Sequence, residues 1–341
     1  MKKIKQMHLF RTCMIDFSSG FQYNKCGIDR KEGDSLRIAV LGAGAMGCLY
    51  GAMLSRAHDV TLVDRNADKA ARISAQGLTL KEQDGTVWTA RPRAALMGEE
   101  AEPAELVLVF VKVMATAQTL EQCSAYIGEN TLILTLQNGG GHEEVLSRFV
   151  PMEQVLLGTT QHNASVQPDG TIFHGGSGLT VIGSPMGASR AAERAAEAFR
   201  AAEIDTAYSD HIRAAIWEKL MTNVSLSVLT GLFQQPMGFV TRSASCWQLC
   251  ESLIREACEV ARADGVNFDV NEKLEAVRAV STNGPEGITS ICKDLMQGRK
   301  TEVEFISGSV VRAARRLGVP APRHEMMVLL IHAMEDRNEI H

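Results

Sequence analysis

The sequence lacks the features that would bring the chain to a membrane or to nucleic acid. None of its apolar stretches reaches the roughly 20 residues that a membrane-spanning helix needs. The net charge is only -5, so no excess of positive charge attracts nucleic acid or an anionic lipid surface. With an apolar fraction of 45%, the composition indicates a folded protein that has neither a membrane nor a nucleic acid as partner.

Paired cysteines and metal-binding spacings are also missing. The eight cysteines are scattered, and none forms a C-x-x-C pair or has a histidine at zinc spacing. A chain of this length does not need disulfide staples, so we expect reduced thiols, a cytoplasmic location and no bound metal. Residues 1–34 begin with basic residues but contain no uninterrupted apolar core. We therefore expect a disordered leader outside the fold and no signal peptide.

The order of apolar patterns predicts two domains of different class. Short apolar runs rich in β-branched residues alternate with helical patterns as far as Ser209-Asp210, and only helical periodicity follows. We predict an α/β Rossmann-type N-terminal domain over residues 35–208 and an all-α C-terminal domain over residues 209–335. The predicted strands are 36–41, 60–63, 106–111, 131–136, 154–159, 171–174 and 179–182, and the predicted C-terminal helices are 211–232, 242–264, 271–280, 286–297, 301–317 and 323–335.

Three glycines stand where the first predicted strand turns into a helix. The stretch GAGAMG has the G-x-G-x-x-G spacing, in which glycines allow a tight turn, a close approach of pyrophosphate and close helix packing. The helix N-terminus adds free amide groups and partial positive charge for the phosphates. The pattern predicts a dinucleotide site formed by Gly42, Ala43, Gly44, Ala45, Met46 and Gly47.

An acidic and a basic residue end the second predicted strand, and they favour different cofactors. Asp64 would accept hydrogen bonds from the adenosine ribose of NAD and would repel the additional phosphate of NADP. Arg65 would bind that phosphate through charge-assisted hydrogen bonds. Because the two residues are neighbours, the sequence leaves both NADPH and NADH open.

A narrow polar stripe runs along an otherwise apolar helix in the C-terminal half. Lys219, Asn223 and Ser227 lie four residues apart, which places them on one face of a regular helix. An ordinary amphipathic helix has a wide charged side, so this narrow stripe favours a cleft-lining face. Lys219 is the only cation of the stripe.

Several motifs together resemble the ketopantoate reductase family. They are, in chain order, VLGAGAMG, LVFVKV, LQNGGG, IWEKLMTNVSLSVLTGL, GITSICKDL, KTEVEFISG and LGVPAP. The resemblance covers residues 37–330, and its weight comes from the order of all the motifs. It implies NADPH-dependent reduction of ketopantoate, a 2-keto acid, to pantoate in pantothenate synthesis.

The resemblance also implies roles for individual residues. Lys219 matches the general acid, and Arg65 matches the arginine that binds the phosphate of NADPH. Lys112 and Asn138 match residues near the nicotinamide. Asn223, Ser290 and Glu302 match substrate-binding residues, and a carboxylate such as Glu302 would also help to keep Lys219 protonated. We assign Lys219 and Glu302 to catalysis, and Ser227 to the substrate site with Asn223 and Ser290.

Departures from the family pattern leave the substrate open. Ser227 stands where a second asparagine is common, Ser307 replaces the usual Asn-Gly after Glu302, and three successive glycines follow Asn138. One alternative is an NAD(H)-linked dehydrogenase of the same family that acts on another 2-keto acid. A second alternative is a nucleotide sensor without catalysis. The sequence does not fix the oligomeric state, for which a homodimer is one alternative.

Overall fold

The computed structural model describes residues 35–340, with side chains as far as residue 337. The leader expected over residues 1–34 lies outside the described residues. The described chain divides into two compact units, one of residues 35–137 and 141–215 and one of residues 138–140 and 216–340. The sequence places the change of class between residues 208 and 209, and the units divide inside the next helix, between Ala215 and Ile216.

The first unit is built on an eight-stranded sheet with the strand order β12-β11-β8-β7-β6-β1-β2-β5. All neighbouring strands in it pair in parallel except β11 with β8. Its strands are β1 (Arg37–Leu41), β2 (Asp59–Asp64), β5 (Arg93–Leu96), β6 (Leu106–Val109), β7 (Leu132–Thr135), β8 (Val155–Thr160), β11 (Thr180–Gly183) and β12 (Thr206–Tyr208).

A smaller four-stranded sheet belongs to the same unit and has the order β4-β3-β10-β9. Its strands are β3 (Leu78–Lys81), β4 (Val87–Ala90), β9 (Asn163–Val166) and β10 (Ile172–Gly176). The helices of this unit are α1 (Ala45–Leu54), α2 (Ala67–Gln76), α3 (Thr116–Gln122), α4 (Glu143–Leu146) and α5 (Arg190–Ala201). Five strands, namely β3, β4, β5, β9 and β12, are absent from the sequence-based prediction.

The topology of the large sheet indicates where a ligand would bind. The chain goes from β1 through α1 to β2 on one side of β1, and later returns to β6 on the other side. Ligands of such sheets bind beyond the carboxyl ends of the strands, at the point where the strand order reverses. The glycine loop leaves β1 at this point. All four residues of β6 are buried, as expected for a parallel strand covered on both faces.

The second unit is helical. Its helices are α6 (Ile212–Thr222, which begins in the first unit), α7 (Val228–Phe233), α8 (Gly238–Arg242), α9 (Ala244–Ala263), α10 (Val270–Asn283), α11 (Ser290–Met296), α12 (Ser307–Leu317) and α13 (Pro322–Ile340). Within residues 35–340, no helix is both long and apolar enough to cross a membrane. The sequence predicts one helix over residues 301–317, but α12 begins only at Ser307, after a short 3-10 turn over Val303–Phe305.

Candidate active site

Two glycines of the G-x-G-x-x-G loop are required by the protein itself. Gly42 has a φ of +100°, and a Cβ atom there would lie 2.9 Å from the backbone nitrogen of Val111. A Cβ atom on Gly47 would lie 1.9 Å from the carbonyl oxygen of Gly42. The first glycine therefore allows the turn after β1, and the third allows α1 to pack against that turn.

The middle glycine has no such structural reason. Gly44 precedes α1 with φ -70° and ψ -173°, a conformation open to any residue. Apart from its two chain neighbours, no atom of the described residues lies within 4 Å of a Cβ atom placed on it. No side chain caps the helix, and no acidic residue lies in its first turn. The loop therefore leaves free amide groups and an open surface at the end of β1, which fits the pyrophosphate of a dinucleotide.

Replacing Gly44 by threonine separates the two kinds of glycine. We expect Gly44→Thr to leave the melting temperature almost unchanged, because the side chain enters open space and threonine caps helices about as well as glycine. The affinity for NADPH and NADH should fall by at least about 10-fold, because the side chain would occupy the open surface that the pyrophosphate needs. A 10-fold decrease corresponds to about 1.4 kcal/mol of binding free energy. Calorimetric titration measures the affinity. The control Gly47→Ala should instead lower the melting temperature, and unchanged cofactor binding in Gly44→Thr would contradict the assignment.

Asp64 is held by the protein around it. One of its oxygens, Oδ2, accepts hydrogen bonds from the Ala43 backbone at 3.0 Å and from Lys69 Nζ at 3.1 Å. The other oxygen, Oδ1, accepts one from the backbone of Asn66 at 2.9 Å. Its side chain is only 12% exposed. Asp64 therefore links the glycine loop to the end of β2 by a hydrogen bond, and Lys69 balances the negative charge of Asp64.

Arg65 and Lys112 are exposed at the same edge of the first unit. Arg65 follows β2 directly, and its guanidinium forms no ion pair or hydrogen bond with the described residues. Lys112 directly precedes the 3-10 turn that follows β6. Its neighbour Val111 packs against Gly42, and the side-chain amide of Gln137 donates a hydrogen bond to the Val111 carbonyl at 2.6 Å. Gln137, which sequence reasoning missed, thus fixes the backbone next to Lys112.

The helix with the polar stripe contains an irregular turn. Residues Asn223–Ser227 form a π-helix between α6 and α7. The hydrogen bonds of a π-helix span five residues, so a residue four positions further along does not complete the turn. Asn223 is half-buried, whereas the side chain of Ser227 is only 5% exposed. The stripe predicted from regular spacing is therefore displaced after Asn223, and π turns of this kind are frequent at functional sites.

Lys219 and Glu302 come together within the second unit. Lys219 is half-buried near the end of α6, and Glu302 precedes the 3-10 turn before α12. Burial lowers the pKa of Lys219 to about 8, and the negative charge of Glu302 opposes this decrease. At neutral pH the amine is therefore mostly protonated, but it releases its proton far more readily than an ordinary lysine.

Two side-chain contacts fix the orientation of α6, and the second of them is fully buried. Trp217 donates a hydrogen bond from its indole nitrogen to Asp264 at 3.0 Å. Glu218 receives two hydrogen bonds from Lys273 Nζ, at 2.8 and 2.9 Å. Because Trp217 and Glu218 are held by these partners, the side chain of Lys219 lies on a different face of α6 from theirs. Sequence reasoning missed these partners because they lie far apart along the chain.

The first of the three glycines after Asn138 has a structural reason. Gly139 has a φ of +97°, and a Cβ atom there would lie 1.9 Å from the carbonyl oxygen of Phe305. That same carbonyl accepts a hydrogen bond from the backbone of Gly140 at 2.9 Å. The half-buried Asn138 therefore belongs with the second unit, beside the segment that contains Glu302.

Ser290 lies at the start of α11 and is exposed. The preceding residue, Thr289, caps this helix and shares a 2.7 Å hydrogen bond with Thr230 of α7. The helix packs against α7 and against the π turn that contains Asn223. The second unit therefore contains Asn138, Lys219, Asn223, Ser227, Ser290 and Glu302, and the first unit contains the glycine loop, Arg65 and Lys112.

Comparisons with known proteins show which family the chain resembles. Residues 38–187 match the family model described as Ketopantoate reductase PanE/ApbA, and residues 211–335 match the C-terminal model of the same family. The 2-dehydropantoate 2-reductase of Halobacterium salinarum is 33% identical over 289 residues, which cover 84% of this chain and 95% of that protein.

Solved structures of similar proteins have the same fold. A ternary structure of D-mandelate dehydrogenase with NADH and anilino(oxo)acetate aligns with a TM-score of 0.81 at 28% identity, covering 89% of this chain and 100% of that chain. The 2-dehydropantoate 2-reductase of Geobacter metallireducens aligns with a TM-score of 0.79 at 30% identity, covering 87% and 99%.

These matches confirm the resemblance and the fold class expected from the sequence. Members of the family bind nicotinamide cofactors, and they are oxidoreductases that act on a CH–OH group. The chain therefore belongs to the ketopantoate reductase family.

Proposed function

We propose that the protein reduces ketopantoate to pantoate with NADPH, in the synthesis of pantothenate and coenzyme A, and that Lys219 is the general acid. The observation that carries this proposal is the half-buried amine of Lys219, whose pKa of about 8 reflects burial opposed by Glu302. A group with a pKa near the working pH is the most effective proton donor. In this proposal Arg65, Lys112, Asn138 and the loop Gly42–Gly47 bind the cofactor.

In this proposal Lys219 supplies the proton that the reduction of a ketone requires. A bound reduced nicotinamide would supply a hydride to the carbonyl carbon of the 2-keto acid. The electron pair of the C=O bond then moves to oxygen, where the ammonium group of Lys219 stabilises the developing charge. Lys219 transfers a proton to that oxygen, which gives the 2-hydroxy acid, and it regains a proton from solvent. Glu302 keeps Lys219 protonated before the reaction.

Hydrogen-bonding side chains of the second unit would orient the substrate. Asn223 offers an amide on the π turn, and Ser290 offers an exposed hydroxyl group beside that turn. An amide and a hydroxyl can both donate hydrogen bonds to a carboxylate or a hydroxyl of a keto acid. Ser227 contributes to the same site in this proposal, although its side chain is largely buried.

The geometry around Asp64 supports NADPH. An acid that selects NAD must have its carboxylate available for the ribose hydroxyl groups. Asp64 already accepts three hydrogen bonds, and Lys69 balances its charge. Its neighbour Arg65 is exposed and carries the charge that suits the additional phosphate of NADPH.

A second candidate function is the NADH-linked reduction of another 2-keto acid. It is favoured by the similarity to a D-mandelate dehydrogenase solved with NADH, because mandelate is the reduced form of an aromatic 2-keto acid. The replacement by Ser227 and Ser307 of residues common in the family agrees with a changed substrate pocket.

Steady-state kinetics with two cofactors and several keto acids test the proposal. We expect kcat/KM to be highest for ketopantoate with NADPH. A much higher value for phenylglyoxylate with NADH would support the second candidate. Tight binding of NADPH without turnover of any 2-keto acid would instead indicate a nucleotide sensor, and it would contradict both enzymatic proposals.

A further inference from the structure

The C-terminal helix α13 has a buried carboxylate behind the segment that contains Glu302. Glu335 is only 3% exposed. One of its oxygens, Oε1, accepts hydrogen bonds from the backbone nitrogen and the hydroxyl group of Thr301, both at 2.7 Å. Burial raises the pKa of Glu335, but the hydrogen bonds from Thr301 and His332 outweigh it and hold the pKa below its usual value. Glu335 is therefore an anion bound to the residue directly before Glu302.

A second residue of α13, His332, holds Glu304, which lies on the other side of Glu302 from Thr301. His332 contacts Glu335 Oε2 through Nδ1 at 3.0 Å and Glu304 Oε1 through Nε2 at 2.8 Å. Burial lowers the pKa of His332, but its hydrogen bonds with the two carboxylates outweigh this effect and raise the pKa. A protonated imidazole donates from both nitrogens, so His332 joins the two carboxylates.

We propose that Glu335 and His332 are positioning residues that hold Thr301 and Glu304 and thereby fix the carboxylate of Glu302 beside Lys219. The inference rests on the proposed function, in which Glu302 supports the charge of Lys219. Residues on both sides of Glu302 are held by one helix, so its backbone has little freedom. Arg312 adds a further hydrogen bond to the Glu304 carbonyl at 2.8 Å.

The two positioning residues contribute unequally. The contact between Glu335 and Thr301 is buried, and its charge-assisted hydrogen bonds are of the stronger kind. The side chains of His332 and Glu304 are 38% and 50% exposed, so solvent weakens their attraction. Changes at Glu335 or Thr301 should therefore have larger effects than changes at His332.

Substitutions at Thr301 test the proposal with little risk to the fold. Thr301→Val removes the hydroxyl group, which donates to Glu335 and accepts a hydrogen bond from the backbone of Val303 at 3.2 Å, and keeps the backbone hydrogen bond to Glu335. Thr301→Ser keeps all three hydrogen bonds. We expect kcat/KM for the 2-keto acid to fall roughly 10-fold in Thr301→Val, since a small displacement of a reacting group is costly, and to be restored in Thr301→Ser. Glu335→Gln should resemble Thr301→Val, and His332→Gln should have a smaller effect.

A titration of Lys219 distinguishes positioning from a general loss of stability. Trace acetylation of the full chain across a range of pH, read by mass spectrometry and normalised to the exposed Lys293, reports the pKa of Lys219 without any turnover. The pKa should fall below the wild-type value in Thr301→Val and Glu335→Gln, because a displaced Glu302 no longer supports the charge. Thr301→Ser should keep the wild-type value, and Thr301→Val should cause no further decrease in a Glu302→Gln background.

The outcomes separate this inference from the proposed function. An unchanged Lys219 pKa in Thr301→Val and Glu335→Gln, or an equal decrease without Glu302, would overturn the positioning role even if Lys219-dependent turnover is present. Absence of turnover with every 2-keto acid would overturn the proposed function, while the expected pKa changes would still support the positioning of Glu302.

Discussion

Replacing Lys219 by alanine should lower kcat by about 100- to 10,000-fold, the usual contribution of a positioned acid or base. The alanine variant loses both the proton donor and the positive charge that stabilises the developing alkoxide. The cofactor loop lies in the other unit and is not altered, so the Kd for NADPH should stay within about twofold of the wild type. Stopped-flow measurement of hydride transfer and fluorescence titration of NADPH check the two parts separately.

Two further variants serve as controls for this prediction. Lys219→Arg keeps the positive charge but holds its proton too tightly to act as an acid, so it should retain part of the activity at most. Lys293→Ala removes an exposed lysine of the same unit and should leave kcat unchanged. An alanine variant of Lys219 with near wild-type kcat would remove this residue from the mechanism.

Replacing Arg65 by alanine should weaken NADPH by about 10- to 100-fold, which corresponds to the loss of 1.5–3 kcal/mol for hydrogen bonds to a charged group. Binding of NADH should change little, because NADH lacks the phosphate that Arg65 would contact. Fluorescence titration at constant ionic strength gives the affinity for each cofactor. The ratio of the two affinities shows whether Arg65 selects NADPH.

A different result is expected if Asp64, rather than Arg65, contacts the cofactor. If Asp64 faced the ribose, Arg65→Ala would weaken both cofactors equally or neither of them. The control Arg91→Ala removes an exposed arginine of the same unit and corrects for the general loss of positive charge. Equal effects of Arg65→Ala on NADPH and NADH would contradict the proposed preference for NADPH.

The main elements of the fold follow from local sequence patterns. Strands β1, β2 and β6 are mainly apolar and contain β-branched residues, and the glycine loop stands directly after the first of them. The missed strands carry weaker signals. Strand β5, for example, reads RAAL and is recognisable mainly through its pairing with β2. Such pairings are long-range interactions that periodicity does not report.

The sequence indicates candidate residues for the site but not their arrangement. Spacing places Lys219, Asn223 and Ser227 on one face, but periodicity cannot reveal that residues 223–227 form a π-helix. Sequence alone also cannot decide whether Asp64 or Arg65 faces outward, because that depends on the hydrogen bonds of Asp64 to Ala43 and Asn66. The support of Thr301 by Glu335 joins residues that are 34 positions apart and leaves no local signal.

In the proposed mechanism Lys219 is the acid of the reaction, and burial and Glu302 together set its proton affinity. The pKa of about 8 implies that kcat/KM for 2-keto acid reduction decreases as the pH rises above about 8, because the amine loses its proton. Glu302 raises the pKa of Lys219, so its removal must move this decrease to lower pH.

The most direct measurement is the dependence of kcat/KM on pH, at saturating cofactor, for the wild type and for Glu302→Gln. We predict a decrease centred near pH 8 in the wild type and a decrease at distinctly lower pH in the variant. A wild-type profile that stays level to pH 10, or a variant whose decrease lies at the same or a higher pH, would contradict the account.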